Sequence, residues 1–268
     1  MDRALLVGIN KYPTSPLNGC VNDIADMAEF LHEKCGFPMD SIRLITDERA
    51  TKAAIFQRMT WLLNGLRAGD RVVFHFSGHG VQVPTRNAQQ EVDKLDEAIC
   101  PYDFDWTEAH MIKDNEFNTI FSAIPKGVNF VWISDSCHSG DLWRDFTRPD
   151  IRVKTMIPPV DINWRLQTAL RKKVPVGTIN KTSKRLNLVL ISGCKDHQTS
   201  ADALINKRYN GALTYYLLKN LRKASGMKIS LTTLIRNVTA DLRKNDYNQR
   251  PELQGNSKMK GDPFLKIK

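Results

Sequence analysis

The chain has 268 residues and 41% hydrophobic content, which suits one large globular domain, and no apolar run reaches the roughly 20 residues of a membrane-spanning helix. Its net charge of +10 is concentrated in residues 141–186, where 11 Lys/Arg face 4 Asp/Glu, so we expect one basic connection rather than a nucleic-acid-binding surface. The five scattered cysteines argue against a disulfide framework and favour free thiols in the cytoplasm.

Apolar segments rich in β-branched residues recur along the chain and predict strands. They are Ala4–Ile9, Ile42–Thr46, Arg71–Phe76, Asn129–Ser134, Asn187–Ser192 and Pro263–Ile267. Most of these segments are continuous rather than alternating, which is typical of strands that are covered on both faces in a parallel sheet.

Helical patterns lie between these strands. Apolar residues follow the i, i+3, i+4, i+7 spacing over residues 21–31, 55–66, 213–221 and 231–242. Thr51 and Ser230 precede two of these patterns and are the expected N-caps. The alternation predicts a three-layer α/β/α sandwich around a mostly parallel six-stranded sheet, with extra edge strands as a variant.

Two predicted strands end on residues suited to nucleophilic catalysis, His79 in "HFSGHG" and Cys137 in "SDSCHSG". Chemistry in α/β sheets gathers at the carboxyl ends of strands, and a cysteine is a strong nucleophile once a base removes its proton. The backbone N–H groups of Gly80 and Cys137 are candidates for an oxyanion hole. A lone cysteine or histidine is more often a core residue, but the pair at glycine-flanked strand ends favours catalysis.

Other catalytic or metal-binding arrangements find less support. His75 lies four residues before His79 on one strand, which separates the two side chains by about 13 Å and disfavours a shared metal. We therefore assign His75 no functional role, and the same holds for His138 beside the thiol. The HExxH and GxSxG motifs of zinc proteases and α/β-hydrolases do not occur.

These motifs resemble the caspase-like cysteine peptidases, and within them the metacaspase and orthocaspase branch of peptidase family C14, clan CD. The resemblance rests on "FSGHG" and "DSCHSG", together with "ALLVGINKY", "LNGCVNDIADM", "DEAICPYD", "ISGCKDHQTSADA" and "NGALTYYLL". It implies a caspase-like fold and a cysteine endopeptidase with His79 and Cys137 as the catalytic dyad. It also implies one catalytic domain over 1–268, made of a large-subunit-like part (1–140), a basic linker (141–186) and a small-subunit-like part (187–268).

The resemblance implies cleavage after Arg or Lys. The pocket for that side chain would be lined by Cys20, Asp23, Ser77 and Asp135. Two carboxylates in a strand-end cleft would pair with a guanidinium and repel an aspartate. The alternative is that Asp23 caps a helix and Asp135 holds a turn.

The resemblance also implies a calcium site, and here the sequence departs from the family pattern. Asp96 and Asp114 match aspartates of that site, but Lys113 and Arg144 stand where further aspartates are expected. Calcium takes six to eight oxygen ligands, so two cations at the site would oppose its binding. We expect no required cofactor, with a weak calcium site at Asp96 and Asp114 as the alternative.

The basic linker offers candidate self-cleavage sites for an enzyme of this specificity. They are Arg144, Arg148, Lys154, Arg171, Lys172, Lys173, Lys184 and Arg185. A linker tethered beside its own active site is present at a high effective concentration. The alternative is an uncut, solvated and largely irregular connection with a short apolar patch near Trp164–Leu170.

Two other functional classes stay open. One is a catalytically silent caspase-like scaffold that binds protein partners, against which the His79–Cys137 pair and the acidic pocket argue. The other is a nucleic-acid binder, against which the clustered charge argues. We expect a monomer, because the basic C-terminal segment "DPFLKIK" discourages pairing at a sheet edge. We also expect the protein to act on polypeptides and to bind neither nucleic acid nor membrane.

Overall fold

A computed structural model describes residues 1–86, 92–138, 151–173, 176–177, 186–194, 198–223 and 226–265. Its strands are β1 (Asp2–Gly8), β2 (Ile42–Thr46), β3 (Arg71–Ser77), β4 (Gly80–Arg86), β5 (Val92–Ile99), β6 (Ile112–Lys113), β7 (Asn129–Asp135), β8 (Ile151–Val153), β9 (Val176–Gly177), β10 (Val189–Ser192), β11 (Ala201–Ile205), β12 (Arg208–Gly211) and β13 (Glu252–Gln254). Its helices are α1 (Cys20–Glu33), α2 (Lys52–Leu63), α3 (Asp114–Phe121), α4 (Val160–Arg171), α5 (Ala212–Arg222), α6 (Leu231–Lys244) and α7 (Ser257–Gly261), with 3₁₀ turns at Met39–Ser41 and Asp47–Arg49.

The central sheet has six strands in the order β13-β10-β7-β3-β1-β2. All neighbouring pairs are parallel except β10 and β13, which are antiparallel. One face of the sheet packs against α2 and α3, and the other packs against α1, α5 and α6. The predicted α/β fold with a mostly parallel six-stranded sheet is confirmed.

The predicted helices are present, and their starts follow the predicted chemistry. The Thr51 hydroxyl accepts the N–H of Ala54 at the start of α2, and the Ser230 hydroxyl accepts the N–H of Thr233 at the start of α6. Each cap satisfies an N–H group that has no partner within the helix, which explains why the helices begin there. No helix in the described ranges is long and apolar enough to cross a membrane.

The prediction of the sixth strand was wrong. That position is taken by β13, whose residues Glu252–Gln254 are half-buried and largely polar, so they give no apolar signal. In the predicted strand, Pro263 forms only an isolated bridge with Ser230, and residues 266–268 lie outside the described ranges. Phe264 and Leu265 are fully buried in the core, which explains the apolar run without a strand.

The basic connection is more ordered than predicted. It contains β8 and the 12-residue helix α4, although only Ala169 of that helix is buried. Two small sheets accompany the central sheet, one with the order β4-β5-β6 and β9 paired to β5, and one with the order β12-β11-β8. The second sheet matters for the site, because it pairs part of the linker with the chain beyond β10.

Candidate active site

The site lies at the carboxyl ends of β3 and β7, which are parallel neighbours. Their register pairs Ser77 with Asp135, so His79 and Cys137 each lie two residues beyond the last pair. Both side chains belong to residues that are almost fully buried. The sheet therefore brings together two residues that lie far apart in the sequence, as the parallel arrangement predicts.

The imidazole of His79 is held in one orientation by the N-terminal segment. Its Nε2 lies 2.6 Å from the carbonyl oxygen of Ser15, and its ring packs on that of Tyr12 with 4.6 Å between centroids. Because a carbonyl only accepts, Nε2 carries the hydrogen. Within the described ranges Nδ1 has no hydrogen-bond partner, and burial lowers the pKa of His79 to about 4. The ring is therefore neutral, with Nδ1 ready to accept a proton.

The Cys137 thiol contacts a loop that follows β10. Its Sγ lies 2.6 Å from the carbonyl oxygen of Gln198 and 3.2 Å from the Sγ of Cys194. A thiol can donate to a carbonyl, whereas a thiolate cannot, so these contacts describe the protonated form.

A buried lysine fills the predicted acidic pocket. Lys154, at 0% exposure, places its Nζ 3.1 Å from Asp135 Oδ1, 3.2 Å from Asp23 Oδ2 and 2.9 Å from Ser77 Oγ. Cys20, the fourth predicted pocket residue, is also fully buried. Burial alone would lower the pKa of Lys154, but Asp135 and the other acidic groups raise it above its ordinary value. The lysine is therefore charged in the pocket.

The two carboxylates are also held by the N-terminus of α5. Asp135 Oδ2 accepts the N–H and the hydroxyl of Thr214 at 3.0 and 2.7 Å, and Asp23 Oδ1 accepts the N–H of Gly211 at 2.8 Å. A helix N-terminus favours negative charge. Asp23, expected in the alternative to cap a helix, and Asp135, expected there to hold a turn, thus both contact the start of α5, and both also bind Lys154.

The carboxylates differ in protonation. Burial raises the pKa of Asp23 to about 7, although Lys154 opposes this shift. Burial would also raise the pKa of Asp135, but Lys154 and the hydroxyls of Thr214 and Ser200 outweigh it and hold that pKa below the ordinary value. Asp135 therefore stays ionised in the pocket, whereas Asp23 titrates near neutrality.

The backbone carbonyl of Lys154 accepts hydrogen bonds from the two N–H groups that were predicted to form the oxyanion hole. Its carbonyl oxygen accepts from the N–H of Gly80 at 3.0 Å and of Cys137 at 3.2 Å. Its own N–H donates to the carbonyl of Ser200 at 3.0 Å. The residues before it form β8, which pairs antiparallel with β11. The chain thus crosses the strand ends as an extended segment with the Lys154–Thr155 peptide at Cys137.

Comparison with known proteins identifies the family. Residues 2–144 match the family model described as "Metacaspase, peptidase C14 domain". The chain belongs to the metacaspase family. Metacaspase-1 of Meyerozyma guilliermondii is 31% identical over 94% of this chain and 68% of its own length. Metacaspase-1B of Aspergillus oryzae is 30% identical over 94% of this chain and 67% of its own length.

Solved structures agree on the fold of this metacaspase. Protein GSU0716 of Geobacter sulfurreducens has a TM-score of 0.73 and 25% identity, covering 100% of this chain and 99% of that one. Caspase-1 of Spodoptera frugiperda has a TM-score of 0.58 and 11% identity, covering 95% of this chain and 86% of that one. The resemblance drawn from the motifs and the caspase-like fold are confirmed, and membership of the family implies a cysteine peptidase.

Several residues around the pocket of this metacaspase escaped the sequence reasoning. Thr214 and Ser200 bind Asp135, yet nothing in their residue type singled them out. His75 was assigned no role, but its Nε2 lies 3.2 Å from Thr214 Oγ1. Because that hydroxyl donates to Asp135, the histidine must donate to the hydroxyl. Burial lowers the pKa of His75 to about 3, so it is neutral in this chain of contacts.

The residues of the alternative calcium site, Asp96 and Asp114, do not suit a calcium ion. Asp96 and Asp114 are buried, but the Nζ of Lys113 lies 3.9 Å from Asp96 Oδ2 and also contacts Glu108. An ammonium beside the carboxylate supplies the positive charge that a calcium ion would bring and repels a second cation. Within the described residues no group of three or more metal-binding side chains occurs, and Arg144 lies outside them.

Proposed function

We propose that this metacaspase is a cysteine endopeptidase that cleaves after Lys or Arg, with Cys137 as nucleophile and His79 as base. One observation supports this most strongly: Lys154 has its ammonium between Asp23 and Asp135 and its carbonyl on two N–H groups beside the thiol. Lys154 thus shows, within this chain, the kind of residue that the proposed site would accept from a substrate.

The proposed reaction begins with transfer of the thiol proton to His79 Nδ1. Sγ of Cys137 then attacks the carbonyl carbon, and the oxygen, now negatively charged, stays on the N–H groups of Gly80 and Cys137. The imidazolium returns its proton to the leaving amine as the C–N bond breaks. Water then hydrolyses the thioester and frees the enzyme.

The specificity follows from the charge of the pocket. A lysine or arginine meets two carboxylates and the Ser77 hydroxyl, and the planar guanidinium is able to bind carboxylates through two hydrogen bonds. An aspartate would instead bring a carboxylate beside the ionised Asp135 in a fully buried space, which costs free energy that nothing there offsets.

We further propose self-cleavage at the Lys154–Thr155 bond. Among the eight basic candidates in the linker, Arg171, Lys172 and Lys173 are exposed at the end of α4, and four others lie outside the described residues. Only Lys154 lies in the pocket within the described part of the linker. The uncut chain is therefore blocked by its own linker until this bond is cut and the segment leaves.

The remaining expectations are proposals as well. Activity without calcium is supported by the ammonium of Lys113 beside Asp96. The division into residues 1–140, 141–186 and 187–268, a monomeric state and a cytoplasmic location stay predictions from the sequence.

The test is hydrolysis of matched fluorogenic peptides ending in Arg, Lys or Asp, with wild type and Cys137→Ala, in EDTA and in calcium. We expect turnover of the two basic peptides only, loss of it in Cys137→Ala, and equal rates with and without calcium. Sequencing of any cleaved chain should find a new N-terminus at Thr155. Turnover of the Asp peptide alone would refute the specificity, and silence of a folded wild type that also stays uncut at Lys154–Thr155 would favour the scaffold.

A further inference from the structure

A second thiol lies against the proposed nucleophile. Sγ of Cys194 is 3.2 Å from Sγ of Cys137 and 3.1 Å from the carbonyl oxygen of Gln198, which also accepts from Cys137. Two sulfurs at this separation are closer than ordinary packing needs, since even two carbon atoms prefer 3.5–4.0 Å. The proposed peptidase reaction uses only one of them.

The backbone fixes this pair in place. β10 lies next to β7 with Ser192 opposite Ser134, and the N–H of Gly193 donates to the carbonyl of Ser134 at 2.9 Å. Cys194 lies two residues beyond the end of β10, as Cys137 does beyond β7. Both thiols therefore lie at the same edge of the central sheet.

We propose that Cys137 and Cys194 form a peroxide-reactive pair, in which Cys137 is oxidised first and Cys194 resolves it to a disulfide. The disulfide removes the nucleophile reversibly and keeps Cys137 from irreversible oxidation. That loss of activity rests on the proposed function, whereas formation of the disulfide does not.

The chemistry balances with one hydrogen peroxide. The Cys137 thiolate, its proton on His79, attacks one peroxide oxygen, the O–O bond breaks, and the departing hydroxide takes that proton and leaves as water. This gives a sulfenic acid on Cys137. Sulfur of Cys194 then attacks sulfur of Cys137, the S–O bond breaks, and the hydroxyl leaves as water with the Cys194 proton. Two thiols are oxidised and one peroxide is reduced to two waters.

The geometry needs only a small movement. The sulfur separation has to fall from 3.2 Å to about 2.05 Å, the length of a disulfide bond. Cys194 is partly exposed and Cys137 is fully buried, so solvent reaches the pair from the Cys194 side. Its hydrogen bond with Cys137, followed by burial, raises the pKa of Cys194 well above the ordinary value. Cys194 therefore stays a thiol, which favours Cys137 as the first sulfur to react.

A matched control is available at the other end of the sheet. Cys35 is buried, and its carbonyl accepts from Arg71, the first residue of β3. Because β3 has 7 residues, the control lies about 20 Å from the strand ends that carry the site.

The experiment compares wild type, Cys194→Ser, Cys194→Ala and Cys35→Ser after treatment with hydrogen peroxide, alkylation and peptide mapping by mass spectrometry. Wild type and Cys35→Ser should yield a peptide linked through Cys137 and Cys194, which a thiol reductant removes. Both Cys194 variants should instead accumulate sulfinic acid on Cys137. In an active enzyme, the reductant should restore hydrolysis in wild type and not in these variants.

Two results would overturn the proposal. One is the absence of the linked peptide in peroxide-treated wild type, and the other is the same Cys137 oxidation state in wild type and both Cys194 variants. Mapping needs no peptidase activity, so a negative result there is separate from failure of the proposed function. Circular dichroism of each variant before treatment verifies that it is folded.

Discussion

Replacement of Lys154 by methionine tests the central contact of the site. Met keeps most of the side-chain volume but removes the charge, so Asp23 and Asp135, both at 0% exposure, lose their shared cation. Removing one partner of a buried ion pair costs about 3–5 kcal/mol of unfolding free energy. Asp23 can take up a proton and offset part of this cost, since its pKa is about 7 even with Lys154 present.

The assay is urea unfolding in a Cys137→Ala background, which prevents any self-cleavage. We expect Lys154→Met to lower the unfolding free energy by about 3 kcal/mol at pH 8. The deficit should be smaller at pH 5.5, because loss of Lys154 raises the pKa of Asp23 further, so the folded variant already binds a proton at the pH values above 7 where folded wild type does not. The matched control is Lys172→Met, an exposed lysine, with an expected change within about 0.5 kcal/mol. A deficit for Lys154→Met no larger than that of the control would refute the placement of Lys154 and remove the main support for the proposed function.

Three further predictions concern the surroundings of the site. Gly211→Ala brings a methyl group 2.2 Å from Nζ of Lys154, so KM for Lys and Arg peptides should rise about tenfold or more. The control Gly261→Ala, where the added methyl meets nothing within 4 Å, should leave KM unchanged. Equal KM values for the two variants would contradict the tight pocket. His75→Gln removes a group whose pKa falls to about 3 on folding. The loss of unfolding free energy as the pH drops from 6.5 to 4.5 should therefore be shallower in this variant by up to about 1.4 kcal/mol per pH unit. Urea unfolding of Cys137→Ala with and without His75→Gln measures this, and parallel pH profiles would count against the prediction. Lys113→Asp replaces an ammonium by a third carboxylate, so peptide hydrolysis should become calcium-stimulated in this variant, whereas calcium stimulation of wild type would refute the role given to the lysine.

The sign of the pH effect at His75 follows from proton binding. The unfolded histidine binds a proton below about pH 6.5, whereas the folded one stays neutral down to a pKa of about 3. The unfolded state therefore holds more protons in this range, and stability falls as the pH falls. His79 contributes in the same direction and Asp23 in the opposite one, but both are shared by the two proteins compared.

The elements that could be predicted from the sequence are those whose burial repeats with a regular period. α2 and α6 have continuous apolar stripes and hydroxyl caps at Thr51 and Ser230, which are local signals. α4 was missed because only Ala169 is buried, so its stripe is weak. β13 was missed because an edge strand with one antiparallel neighbour can be polar, and its identity depends on pairing with a distant strand.

The site divides in a similar way. The placement of His79 and Cys137 at neighbouring strand ends could be predicted because each follows an apolar strand at a glycine-rich turn, which is visible locally. The placement of Lys154 in the pocket could not be predicted in this way, because it results from the pairing of β8 with β11, whose residues lie about fifty positions later in the chain. A buried lysine looks like any other basic residue of a linker until its partners are known.

Under the proposed self-cleavage, the extended segment that ends in Lys154 also sets the timing of the enzyme. The pairing of this segment with β11 and its contacts with the pocket lie within one molecule. The proposed first cut is therefore a first-order event, and its half-time is the same in a dilute and a concentrated solution. The cut leaves the new carboxylate of Lys154 on the two N–H groups and its ammonium between two carboxylates, so the severed end is at first a bound product. Turnover of other polypeptides then starts only as fast as this end departs, and a lag in peptide hydrolysis that does not shorten at higher protein concentration would be its signature.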